Sequence, residues 1–256
     1  MRIGLATLVF LPFLRPKLLA GRQRLILMAL GAVQLGAMYI FFYQSFLLLS
    51  VPEVLLFTIF TPFYVTLLDD ALFKRFTPFY LLTAALAVLG AAVIRYDGID
   101  SGFWLGFLVV QGANLCFALG QVGYRRLAVT LPAELPRHSV FAWFYLGALA
   151  VALPAFLLLG NAAAMPATGV QWGVLAWLGL VASGLGYFLW NLGATRVDAG
   201  ALAIMNNALI PAGLAVNLLF WTRDADLVRL ALGGAIIAGS LMLNERWQRR
   251  RALRVA

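Results

Sequence analysis

Leu27–Phe42 reads LMALGAVQLGAMYIFF, a run of 16 residues in which only Gln34 and Tyr39 carry a side-chain nitrogen or oxygen. A fully buried strand is shorter than this, and a half-buried one alternates polar with apolar residues. A helix that is apolar around its whole circumference for about four turns must lie against other helices or against lipid. Composition selects lipid: 63% of the 256 residues are hydrophobic, more than a soluble core of this length can hide. Extending outward in search of about 20 mostly apolar residues at a time gives nine segments, at 1–14, 25–49, 52–73, 76–95, 103–124, 139–160, 171–195, 199–221 and 227–245. Leu81–Ile94 has the same unbroken character and lacks the alternation of an outer-membrane barrel strand. The expected fold is an all-α polytopic membrane protein with nine transmembrane helices.

The short connections sort the positive charge. One side collects Arg15, Lys17, Arg22, Arg24, Lys74, Arg75, Arg125, Arg126, Arg137, Arg196, Arg246, Arg249, Arg250, Arg251 and Arg254. The other holds Arg2, Arg95, Arg223 and Arg229, a division of 15 against 4. The positive-inside rule puts the richer side, and with it the C-terminus, in the cytoplasm. The net charge of +9 is thereby accounted for without a nucleic-acid partner. The lipid bilayer is the partner instead, and the basic tail can rest on its anionic headgroups.

An internal repeat organises the segments. Laying Tyr39–Ile94 over Phe188–Leu243 without a gap pairs Pro62 with Pro211 and Gly90 with Gly239, both at an offset of 149 residues. That offset spans five helices, an odd number, so the second copy is inverted relative to the first. Inverted repeats are the architecture of alternating-access transporters, whose site lies between the halves near the midplane. Residues 1–95 form a first repeat of four helices and residues 96–256 a second of five. A further helix is therefore expected ahead of the short run at 1–14, which carries no cleavable-signal pattern.

Uncharged polar residues at depth must find a partner or face a cavity. Gln111 and Asn114, three apart, share a helix face with Gln121, and Gln34 sits mid-helix. Tyr187 and Asn191 share a face, Asn206 and Asn207 follow on the next helix, and Tyr39 and Tyr145 add hydroxyls. Together they suggest a hydrated, substrate-binding lining. Gly102 with Gly106, and Gly179 with Ser183, have the small-residue spacing of close helix contacts. Ser183 has no histidine partner nearby, which argues against an intramembrane protease. One cysteine, Cys116, and one histidine, His138, cannot build a metal cluster, so no metal and no cofactor is expected. Asp69–Asp70 beside Lys74 and Arg75 reads as a solvated charge cluster. Glu53 follows Pro52 at a helix start, where it can cap the helix; it is also the one carboxylate available for proton coupling.

Several segments carry a family likeness: Leu8–Arg15 (LVFLPFLR), Leu55–Pro62 (LLFTIFTP), Ile94–Asp97 (IRYD), Phe141–Gly147 (FAWFYLG), Leu158–Asn161 (LLGN), Val181–Tyr187 (VASGLGY), Gly193–Gly200 (GATRVDAG) and Ile204–Asn207 (IMNN). In their order and spacing the chain resembles the drug/metabolite transporter superfamily of the EamA type, which has ten helices in two inverted five-helix repeats, here without the first. Within it the likeness is to the biotin-transporting members of bacterial inner membranes. The resemblance implies a carrier and no enzyme, with biotin as substrate. Asn and Gln amides match the donors and acceptor of a ureido ring, and Trp143, Tyr145, Tyr187 and Trp190 can cover the ring system. The substrate carboxylate meets no evident midplane cation, and would use a helix N-terminus or a cation at the cavity mouth. An exporter of amino acids or other small metabolites, and a nontransporting scaffold or intramembrane enzyme, stand as alternatives. The sequence leaves the oligomeric state open.

Overall fold

A computed structural model describes residues 1–96, 102–132, 134–160, 165–221 and 226–255, with backbone alone at 95, 217–221, 254 and 255. Arg223, Asp97 and Asn161, named above, lie outside the described residues. Among those residues there is no strand. Seven helices are long and apolar enough to cross a membrane, and two apolar helices, Arg2–Phe13 and Pro78–Ile94, are shorter. The chain is a multi-pass membrane protein.

Helix α1 (Arg2–Phe10) tightens into a 3-10 turn at Leu11–Phe13, because Pro12 removes a donor from the ladder. Helix α2 (Gly21–Ser45) contains a π-helical stretch at Ala32–Ala37, and α3 (Val51–Leu72) a 3-10 turn at Thr58–Phe60. Next come α4 (Pro78–Arg95), α5 (Trp104–Ala128) and α6 (Arg137–Leu159). Helix α7 (Gly169–Ala194) is π-helical over Leu178–Gly186, and α8 (Ala199–Trp221) and α9 (Leu227–Val255) complete the order. The repeat partners behave differently. Pro62 follows a break in α3, whereas Pro211 sits inside continuous α8.

Local chemistry fixes the ends. The Ser50 N–H and hydroxyl both donate to Glu53 Oε2, at 2.8 and 2.7 Å, ahead of α3. Thr168 and Gln171 bond reciprocally at the start of α7, and Asp198 accepts from the Ala201 N–H at the start of α8. Helix α3 ends with Lys74 in the left-handed region at φ 51°, while the N–H groups of Lys74 and Arg75 bond back to the Ala71 and Asp70 carbonyls. This is the Schellman arrangement, with a lysine where glycine is usual. It folds Arg75 over Asp69 and Asp70, which are 0% and 4% exposed. The acidic pair is therefore buried and ion-paired, not solvated as expected. Burial opposes the Arg75 charge, but its bond to Asp69 and the neighbouring carboxylates outweigh burial and raise its pKa above the ordinary value.

The chain divides into two compact units, each built from two separate stretches of the sequence. The first comprises Met1–Phe41 and Leu119–Arg196. Its α2–α6 crossing is set by two glycines: a Cβ on Gly31 would stand 1.8 Å from the Phe144 carbonyl oxygen, and one on Gly147 1.9 Å from that of Met28. Gly179 faces the Leu5 side chain on α1 in the same manner, bearing out its small-residue reading.

The second unit comprises Phe42–Ala118 and Val197–Ala256. Gly90 and Gly233 lie backbone to backbone where α4 crosses α9, and Val54, Phe57, Ile59, Val110, Ile204 and Ile237 form the core beside them. Gly239, the repeat partner of Gly90, has no atom within 4 Å of where its Cβ would stand. Gly106 packs on Leu49, but Gly102 departs from the expected contact motif: its φ of +98° turns the chain ahead of α5, and its missing Cβ would meet nothing.

Candidate functional site

In the first unit the predicted tyrosines meet around the π-helical stretch of α7. A π-turn shifts backbone bonding by one residue and leaves carbonyls in need of donors, which is why such stretches recur at functional positions. The Tyr145 hydroxyl donates to the carbonyls of Ser183 (2.6 Å) and Gly184 (2.7 Å). Tyr39 brings its hydroxyl to 3.3 Å from Ser183 Oγ, and its ring stands edge-on to Tyr187 at 6.3 Å. Two residues outside the predicted set join them. Ser183 is the centre of the cluster, and Arg2 donates from Nε to Ser183 Oγ at 2.7 Å with its guanidinium 4.5 Å from the Tyr39 ring centre. Nothing in the sequence pattern singles out Arg2, which reads as a charge at the end of an apolar run.

The same unit holds Gln34, Trp143, Trp190 and Asn191. Gln34 lies in the π-helical stretch of α2, fully buried against the bare backbone of Gly120, with neither amide atom hydrogen-bonded among the described residues. The Trp190 indole donates to Gln121 Oε1 at 2.9 Å. Trp143 stacks under the Arg24 guanidinium at 5.4 Å, and Asn191 is buried with its amide nitrogen on the Tyr187 carbonyl.

In the second unit, three predicted amides converge on the break in α3. Asn114 and Gln111 both donate to the Phe57 carbonyl, at 2.9 and 3.2 Å, and Asn114 also donates to Gln111 Oε1. Asn207 donates to the Ile59 carbonyl at 3.0 Å. The α3 break thus takes hydrogen bonds from α5 and α8. Asn206 instead turns back to its own helix, on the Leu202 carbonyl. Glu53 stands at the α3 cap, and its contacts to Ser50 are those of a capping residue.

Fold and clusters together define a polytopic α-helical membrane protein in which several amides, three tyrosines and Arg2 are drawn into ordered contacts. No family model matches the chain. It is 53% identical over 248 residues to a protein of Pseudomonas aeruginosa named "Probable biotin transporter", covering 95% of this chain and 85% of that protein. It is 50% identical to the "Biotin transporter" of Escherichia coli K12 (96% and 82% covered) and 49% identical to that of Salmonella typhimurium (100% and 85%). The chain belongs to the family of these bacterial biotin transporters. One solved crystal structure, 18% identical, matches with a TM-score of 0.76 over 94% of this chain and 84% of its own; that likeness shows the fold alone.

Proposed function

We infer that the chain imports biotin across the bacterial inner membrane, acting as a carrier and not as an enzyme. The observation that carries this is identity of 49–53% across at least 95% of the chain to relatives named biotin transporters. The offset repeat and the EamA resemblance support alternating access between two inverted repeats. The division of 15 cationic side chains against 4 supports a cytoplasmic C-terminus.

Biotin is recognised by the residues nominated above: Gln34, Gln111, Asn114, Asn191, Asn206 and Asn207 through their amides, and Tyr39, Trp143, Tyr145, Tyr187 and Trp190 through rings and polar tips. Support is strongest for Tyr39, Tyr145 and Tyr187, which share one cluster, and for Gln34, whose buried amide offers a donor and an acceptor to a ureido ring. Gln111, Asn114 and Asn207 have a structural duty on α3 as well, and the cap contacts of Glu53 favour a structural role over coupling.

The test is growth of a biotin auxotroph lacking its own uptake system, at low external biotin. Expression of the gene should restore growth and accumulate labelled biotin. Membrane-inserted protein that gives neither result overturns the assignment. A C-terminal fluorescent-protein fusion that stays dark would overturn the orientation.

A further inference from the structure

Helix α9 has two faces, and the fold uses one of them. Gly233, Ile237, Ser240 and Asn244 are buried; a turn further on, Trp247 lies nearly parallel to Phe79 at 4.7 Å and Gln248 donates to the Tyr80 hydroxyl. The face turned away carries Leu232, Met242 and Leu243, which are 39–58% exposed, and Gly239, with open space where its Cβ would stand. Within one turn this apolar stripe becomes cationic. Arg246, Arg249 and Arg250 continue it at the spacing of three and four residues that brings side chains together on a helix, and all three are exposed. Trp247 and Tyr80 mark the level of the change, being residue types that settle where hydrocarbon meets water.

The neighbouring charges leave the outward three arginines available. Arg251 turns over the Trp247 ring at 5.3 Å, Glu245 is the single acid from Asn244 to the end of the chain, and none of Arg246, Arg249 and Arg250 forms an ion pair among the described residues. Guanidinium groups match the geometry of phosphate oxygens. A free phosphate would use the arginines and leave the apolar stripe beneath them without a partner. A phospholipid satisfies both halves at once, with its headgroup at the water boundary and its chains below.

We propose that the outward face of α9 binds an anionic phospholipid, its phosphodiester held by Arg246, Arg249 and Arg250 and an acyl chain laid along Leu243, Met242 and the notch at Gly239. The site is separate from the clusters nominated for biotin and holds whatever solute is carried.

The experiment reconstitutes the whole protein in bilayers of phosphatidylcholine and phosphatidylglycerol in equal parts, extracts it in mild detergent and counts the retained lipids by native mass spectrometry. The unaltered protein should retain phosphatidylglycerol over phosphatidylcholine by about tenfold, given roughly fivefold per arginine near an anionic surface, reduced by salt. R246Q/R249Q/R250Q should lose most of that preference, and the corresponding triple lysine variant should keep part of it. The control R15Q/K17Q/R22Q removes equal charge from three other exposed residues and should leave the preference unchanged. Inorganic phosphate in the buffer should not displace the lipid. An unaltered protein without the preference overturns the proposal, as does an R246Q/R249Q/R250Q protein that keeps it. A control triple that loses as much makes the effect one of total charge and overturns the site, and displacement by inorganic phosphate overturns the lipid as its occupant.

Discussion

Asn114 Nδ2 lies 2.9 Å from the Phe57 carbonyl, an oxygen that the 3-10 turn at Thr58–Phe60 has taken out of the α-helical ladder. The Thr61 N–H that would reach it in a regular helix bonds to Thr58 instead, and the Thr61 hydroxyl joins it there at 2.7 Å. Pro62 has no N–H to restore the pattern. The break in α3 is therefore stabilised from outside, by Asn114 and Gln111 on Phe57 and by Asn207 on Ile59.

Replacing Asn114 by leucine should accordingly lower stability by about 1–2 kcal/mol, the upper range for polar contacts between membrane helices. The loss should appear as a reduced melting temperature in detergent. Pro62→Ala in the same background should recover part of it by letting α3 close its own ladder. A leucine variant as stable as the parent would mean that the α3 break holds itself.

The α2–α6 crossing gives a sharper contrast. A methyl group on Gly31 or Gly147 would run into a backbone carbonyl, which cannot rotate away, so either Gly→Ala change should cost about 3 kcal/mol or more and cut the yield of folded protein. Gly239 has open space where its Cβ would stand, and Gly239→Ala should stabilise α9 by about 0.5–1 kcal/mol. Size-exclusion profiles and melting temperatures of the three variants check both signs together.

These contacts show what hydropathy can and cannot reveal. The long helices were legible because burial in lipid on all sides erases polar periodicity, and runs such as 103–124 and 199–221 match α5 and α8 within a few residues. Pro62 was legible as an interruption, since proline carries its effect in its covalent structure. The π-helical stretches in α2 and α7 were not, because no residue type demands them and packing of Gln34 against Gly120 and of Ser183 against α1 decides them. Arg2 was misleading for a related reason: hydropathy scores a residue where its Cα stands, while its charge sits at the far end of a long side chain. Asp69 and Asp70 reversed their expected exposure because the left-handed turn at Lys74 brings Arg75 back over them.

Tyr145 tests the π-helical stretch of α7 directly. Its hydroxyl is the donor to two adjacent carbonyls, so Tyr145→Phe removes both bonds while keeping the ring that stacks on Phe10 at 4.9 Å. Stability should fall by about 1–2 kcal/mol. Hydrogen exchange in α7 should rise around residues 183–187 more than at the helix ends, an effect that simple loss of ring packing would not produce.

Lys74 offers a gain instead of a loss. A left-handed conformation crowds the Cβ of any L-residue against the following carbonyl oxygen, at a cost of about 1–2 kcal/mol that glycine escapes. The Schellman bonds from Lys74 and Arg75 to α3 hold this geometry regardless of side chain, so Lys74→Gly should keep the turn and relieve the crowding. Glycine also gains freedom in the unfolded chain, which offsets part of the benefit and leaves a net stabilisation of about 0.5–1 kcal/mol. Lys74→Val places a branched Cβ in the same position and should destabilise by more than the glycine gains. Both variants preserve the Arg75 contacts with Asp69 and Asp70, so opposite shifts in melting temperature isolate the backbone term. If the two shifts have the same sign, the lost lysine charge, and not the left-handed backbone, controls this turn.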